Sequence, residues 1–179
     1  HLIKNACNSE DFSEARRRSL QKISSKVTTQ RPIIGYVGAI AEWFDLQLVY
    51  QAANRLPECD FILVGDFTRC AAIIRLVQPK NVRFIGEVPY KEVPQYLGDF
   101  DIALIPFKRN KLTAATNPVK IYEYAASGVP VISTRLPELI DLPTAVRFAD
   151  TINEFETRVK EIFSRTQITK IKEWSELTH

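Results

Sequence analysis

From residue 31 onward, two kinds of hydrophobic pattern alternate along the chain. Short unbroken apolar runs of strand length occupy residues 32–40 (PIIGYVGAI), 60–65 (DFILVG), Val82–Gly86 (VRFIG), 101–107 (DIALIPF) and 130–134, with a weaker one at 146–149. Between them lie segments of helical period. The first, capped by Asp45, places Leu46, Val49, Ala53 and Leu56 on one face and stops at Pro57; the last places Ile152, Phe155, Val159, Ile162 and Phe163 on another, behind a cap at Asp150 or Thr151. Further helices are predicted at 13–23, 69–77, 90–97 (with Pro94 tolerated in the first turn) and 168–177, and 24–31 reads as a polar linker. Strands buried on both faces read as continuous apolar runs, and parallel strands need helical crossovers. The pattern therefore predicts an α/β fold: a Rossmann-like, doubly wound parallel sheet of about six strands with helices on both faces. No internal repeat or low-complexity segment interrupts it.

The most informative stretch is TNPVKIYEYAASGVPVIST, residues 116–134. Asn117 reads as an N-cap, Pro118 as the first helical residue, Gly128 as the C-terminal stop and Pro130 as the bar to continuation, with a buried strand after it. A helix start presents backbone N–H groups and a positive dipole end, which suit a phosphate. One turn inside, Glu123 is placed to accept hydrogen bonds from a ribose or sugar hydroxyl. The competing reading makes Lys120 and Glu123 a surface i,i+3 pair. In a doubly wound sheet ligands bind beyond the carboxyl ends of the strands where strand order reverses; with order 3-2-1-4-5-6 that is between strands one and four. The loops meeting there are 38–45 (GAIAEWFD) and 108–116 (KRNKLTAAT), the second basic and leading into the helix start. Cations such as Lys108 and Lys111, hydroxyls and a helix N-terminus suit a diphosphate.

Composition narrows the function classes. The 179 residues carry a net charge of +3 with acids and bases mixed, so no nucleic-acid surface is expected. The histidines are His1 and His179, which argues against an internal histidine base or metal site, and no metal is expected. Cys7, Cys59 and Cys70 are odd in number and far apart, which points to a reducing compartment. No apolar run reaches transmembrane length. Methionine is absent, from which an excised domain or processed piece is expected. A dinucleotide fingerprint fails, because Gly35 lies inside a strand and only Gly38 follows it; no phosphate-loop motif G-x-x-x-x-G-K-[ST] occurs.

Three segments carry a family resemblance over roughly 31–138: YVGAI; FIGEVPY followed by DIALIPF; and N-P-x-K-x-Y-E-Y-x-A-x-G-x-P-V-I-x-T, residues 117–134, followed by Leu136-Pro137-Glu138. They resemble the C-terminal, nucleotide-sugar-binding half of GT-B glycosyltransferases of the retaining family 4, or group 1, type. The resemblance implies that Asn117, Pro118, Val119 and Lys120 hold the donor diphosphate and that Glu123 binds the ribose. It also implies that the Gly38-Ala39 turn approaches the diphosphate or the sugar, and that Val88 and Pro89 lie near the base. Two departures stand out. Ala115 occupies the position of the family's first glutamate, and Ala39 that of its arginine, with no lysine following; Lys111 or Lys108 would then supply the missing cation. Asn5, Asn8 and Phe12 weakly resemble the end of the interdomain crossover. The implied organisation is a crossover and N-terminal helical region (1–30), a donor-binding domain (31–165) and a C-terminal helix (166–179). The implied function is donor binding for sugar transfer in a longer protein, of hexosyltransferase type. A missing N-terminal half would bring the acceptor, and the isolated domain would be inactive. The expected location is cytoplasmic, at the inner membrane surface. A non-catalytic nucleotide-sugar-binding module and a nucleotide-sugar epimerase are the alternatives.

Overall fold

The computed structural model describes residues 7–24, 31–71, 78–140, 142 and 146–164, with side chains of 22–24 left aside. Six parallel strands form one sheet: β1 (Ile33–Val37), β2 (Asp60–Val64), β3 (Val82–Gly86), β4 (Ile102–Ile105), β5 (Val131–Ser133) and β6 (Val146–Phe148). Their order is β3-β2-β1-β4-β5-β6, the order expected from the pattern. The helices among the described residues are α1 (Ser13–Ser24), α2 (Leu46–Arg55), α3 (Val93–Asp99), α4 (Lys111–Ala114), α5 (Lys120–Ala126), α6 (Pro137–Ile140) and α7 (Ile152–Phe163). The central strands bury nearly every side chain, which is why they read as unbroken apolar runs.

Capping follows side-chain chemistry. Asp45 caps α2 through the Leu48 N–H at 2.9 Å. Of the two candidates for α7, Thr151 is the cap, in a reciprocal box with Glu154. Asp150 instead accepts from the Arg135 guanidinium at 2.8 Å and Arg109 at 3.1 Å. The helix expected at 90–97 divides into a 3-10 turn, Tyr90–Glu92, and α3, whose first turn holds Pro94. Of the helix expected at 69–77, a 3-10 turn at Thr68–Cys70 is seen and residues 72–77 lie outside the described set, as does the terminal helix expected at 168–177. Strand one is shorter than its apolar run, ending where Gly38 takes a φ of +143°. Gly35 sits within β1 for packing: a β-carbon there would lie 2.1 Å from the buried Phe100 ring.

Two expectations are corrected. Asn117 does not cap the organising helix. Its side-chain amide donates to Glu138 of α6 at 3.4 Å, and the helix begins later, at Lys120, with no side-chain cap. The cause is a tight entry: Ile121 and Tyr122 N–H groups donate three residues back, to Pro118 and Val119. The basic stretch 108–116 is not all loop either, because Asn110 and Thr113 form a capping box that starts α4. Among the described residues no helix is long and apolar enough to cross a membrane.

Candidate functional site

The crevice at the strand-order reversal is built where β1 and β4 part. They pair only at Ile34–Ile102 and Gly35–Ala103. Past that point Val37 has no β4 partner, and its N–H donates to the Tyr124 hydroxyl at 3.1 Å. Tyr124 is fully buried, so this bond fixes α5 over the end of β1. The two loops are also fastened together. The Asp45 N–H donates to the Pro106 carbonyl and the Lys108 N–H to the Trp43 carbonyl, both at 2.7 Å.

Two glycine turns close the floor. Gly38 N–H donates to Val64 O, and Gly65, with a φ of +137°, packs so closely that a β-carbon would lie 2.0 Å from the Gly38 carbonyl. Gly38, with a φ of +143°, requires glycine for conformation, and Gly65 for both conformation and space.

Lys120 is the cation of this crevice. Helical spacing places it one turn before Tyr124, on the face anchored to β1. Its Nζ stands 5.8 Å from the centroid of the buried Tyr36 ring, and its tip lies against Gly38, where a β-carbon would meet Cε at 2.0 Å and Nζ at 2.3 Å. The Tyr36 hydroxyl donates to the Ala39 carbonyl at 3.0 Å, holding the turn beneath. Burial pulls the Lys120 pKa down, and Glu123 one turn on opposes this only in part. No direct ion pair to Lys120 is formed among the described residues. Glu123 is 8% exposed. It is buried and Lys120 half-buried, so the two are not a surface pair.

The structure thus brings together Gly38, Ala39, Lys120 and Glu123. Val88 and Pro89 follow β3 and lead directly into the 3-10 turn that starts at Tyr90. Asn117, Pro118 and Val119 form the entry to α5, with Val119 42% exposed. Lys111 opens α4, exposed, and makes no hydrogen bond or ion pair with Lys120 or Glu123. Of the basic run around it, Arg109 is engaged by Asp150. Ala115 is exposed at the end of α4. Sequence reasoning missed Tyr36 and Tyr124. Their only signal was a hydroxyl-bearing ring within or beside apolar segments. Among the described residues no cluster of histidine, cysteine and carboxylate side chains could hold a metal.

The family model described as "Glycosyl transferases group 1" matches residues 31–164. TuaH of Bacillus subtilis (strain 168), assigned by name as a teichuronic acid biosynthesis glycosyltransferase, is 31% identical over 142 residues, 76% of this chain and 34% of TuaH. Anabaena Alr3699/HepE, solved in complex with UDP-glucose, aligns with a TM-score of 0.74 at 17% identity, over 99% of this chain and 52% of that one. A glycosyltransferase from Rickettsia africae ESF-5 aligns with a TM-score of 0.66 at 19% identity, over 99% of this chain and 50% of that one. The chain therefore spans about a third of the curated relative and about half of the solved ones.

Proposed function

The chain belongs to the group 1 glycosyl transferases, and on that premise we propose that it is the nucleotide-sugar-binding half of such an enzyme. The longer protein moves a hexosyl group, with retention, from a nucleoside diphosphate to an acceptor bound by a preceding domain. This chain alone does not transfer. The carrying observation is Lys120, an inward-turned ammonium with no ion pair among the described residues, lying on a glycine turn at the strand-order reversal. Such a group is completed by an anion. In transfer, the departing diphosphate gains charge as the sugar leaves, and a fixed cation in a partly dehydrated site stabilises that charge better than water does. Lys120 takes the place that Ala39 leaves vacant in the family pattern. Asn117, Pro118 and Val119 form the entry to α5, where Val119 carries a backbone N–H ahead of the first helical bond and Pro118 carries none. Glu123 accepts from ribose hydroxyls, and Val88 and Pro89 border the base. No metal takes part. HepE was solved with UDP-glucose, which makes UDP the first nucleotide to try.

A thermal-shift screen against UDP, ADP and GDP tests the reading, with stabilisation by at least one as the expected result and by none as the contrary one. Ala115, in place of the family's first glutamate, favours a second reading, a module that binds the nucleotide sugar without transfer. Transfer activity of the longer protein separates the two, and product analysis separates an epimerase.

A further inference from the structure

Lys120 rests on a peptide turn and, among the described residues, bonds to none of it. The turn has no group to spare. Its Gly38 and Ile40 N–H groups donate to the Val64 and Asp66 carbonyls, both at 2.7 Å, and its Ala39 carbonyl accepts from the Tyr36 hydroxyl at 3.0 Å. A β-carbon on Gly38 would lie 2.3 Å from Lys120 Nζ and 3.0 Å from the Tyr36 hydroxyl, so the ammonium and the hydroxyl flank one point of the turn. Tyr36 itself is immobilised. It is fully buried, and Phe44 and Phe107 meet its ring at centroid distances of 4.7 and 6.4 Å. Those two phenylalanines bridge the loops on either side of the crevice. A phenylalanine at position 36 would serve every one of these ring contacts, and the contact with Lys120 as well. The hydroxyl has a separate use, and among the described residues that use is the Ala39 carbonyl. Burial raises the Tyr36 pKa, so the hydroxyl remains a proton donor at neutral pH.

We propose that Tyr36 is a positioning residue of the donor site: its hydroxyl occupies the Ala39 carbonyl, which leaves the Lys120 ammonium, seated over the same ring, free for a phosphate. This rests on the donor-site reading above. Without the hydroxyl, the Ile40 bond still holds the Ala39–Ile40 peptide in place, so its carbonyl stays where Tyr36 leaves it. A buried carbonyl without a donor and an ammonium without an acceptor then share one turn, and they pair. The diphosphate must break that pair each time it binds.

The test is calorimetric titration of the chain and of Tyr36→Phe, which keeps the ring against Phe44, Phe107 and Lys120 and loses a single hydrogen bond, so the fold stands. The probes are UDP, ADP and GDP, each beside its monophosphate. For the nucleotide that binds the chain, Tyr36→Phe is expected to weaken the diphosphate about threefold to tenfold and the monophosphate less than about twofold. Equal losses for both forms, or no loss, overturn the proposal while leaving the donor site standing. A chain that binds none of the three nucleotides overturns the donor-site reading and this proposal with it. A second arm needs no nucleotide: titration of Lys120 followed at its ε-carbon by NMR in both proteins. A carbonyl that accepts from the ammonium favours the charged form, so Lys120 in Tyr36→Phe should hold its proton to higher pH than in the unmodified chain. Glu123, whose charge also acts on Lys120, is the same in both. A Lys120 titration that stays in place or moves to lower pH also overturns the proposal.

Discussion

Lys120→Met separates a binding cation from a structural one. Methionine keeps an unbranched stem over the Tyr36 ring and beside Gly38, so the packing survives. What is lost is the charge. A hydrogen bond to a charged group contributes about 1.5–3 kcal/mol, so nucleoside diphosphate affinity should fall by roughly 10-fold to 150-fold. Stability should respond differently. The substitution removes a cation–π contact of about 0.5–1 kcal/mol but also relieves the desolvation that depresses the Lys120 pKa, so the net change should stay within about 1 kcal/mol. The sign of the pH dependence follows from the same depression. The native state sheds the Lys120 proton at lower pH than the unfolded chain does. Stability should therefore rise as pH climbs from the folded value toward the ordinary lysine value, in the wild type and not in the variant. Diphosphate affinity should fall over that range, and binding there should take up protons, visible as a buffer-dependent titration enthalpy. Chemical denaturation and calorimetry of both proteins supply all of these quantities. An unchanged diphosphate affinity in Lys120→Met, with the fold intact, would refute the reasoning.

Lys111→Ala should lower diphosphate affinity less than Lys120→Met and in a salt-dependent way, because Lys111 is exposed; titrations at low and high salt check this. Gly65→Ala should lower stability by at least about 1–3 kcal/mol in denaturant titration, since its β-carbon would run into the Gly38 carbonyl at a left-handed φ. Glu154 is held at a pKa of about 2, chiefly by the Arg135 guanidinium and then by the Asp150 N–H. The stability it contributes is present above the ordinary carboxylate range and is lost as pH falls toward about 2; Arg135→Ala should shift acid unfolding to higher pH, and an unshifted acid transition would count against it.

The strand order, the helix faces and the position of the crevice could all be read from the sequence, because unbroken apolar runs and short crossovers leave few topologies. The site was legible in its parts but not in its assembly. Lys120 and Glu123 belong to a motif; that the Lys120 tip lies against the Gly38 turn depends on the roll of α5, which the Tyr124–Val37 bond sets across 87 positions. The expectation that Lys108 or Lys111 supplies the cation absent at Ala39 followed loop composition; the cation found against the Gly38 turn is Lys120, one helical turn from a tyrosine anchor. Asn117 failed as a cap because the chain enters α5 through a tight turn, Ile121 and Tyr122 donating to Pro118 and Val119, which moves the helix start on to Lys120. Thr151 prevailed over Asp150 because Arg109 and Arg135 claim the aspartate.

The central claim is that this crevice binds the diphosphate of a nucleotide. Its most direct test is calorimetric titration of the unmodified chain with UDP, ADP and GDP, each against its monophosphate. The account predicts that at least one diphosphate binds, and more tightly than its monophosphate, because the second phosphate meets Lys120 and the entry to α5. Equal affinity for the two forms, or no nucleotide bound at millimolar concentration, would contradict it.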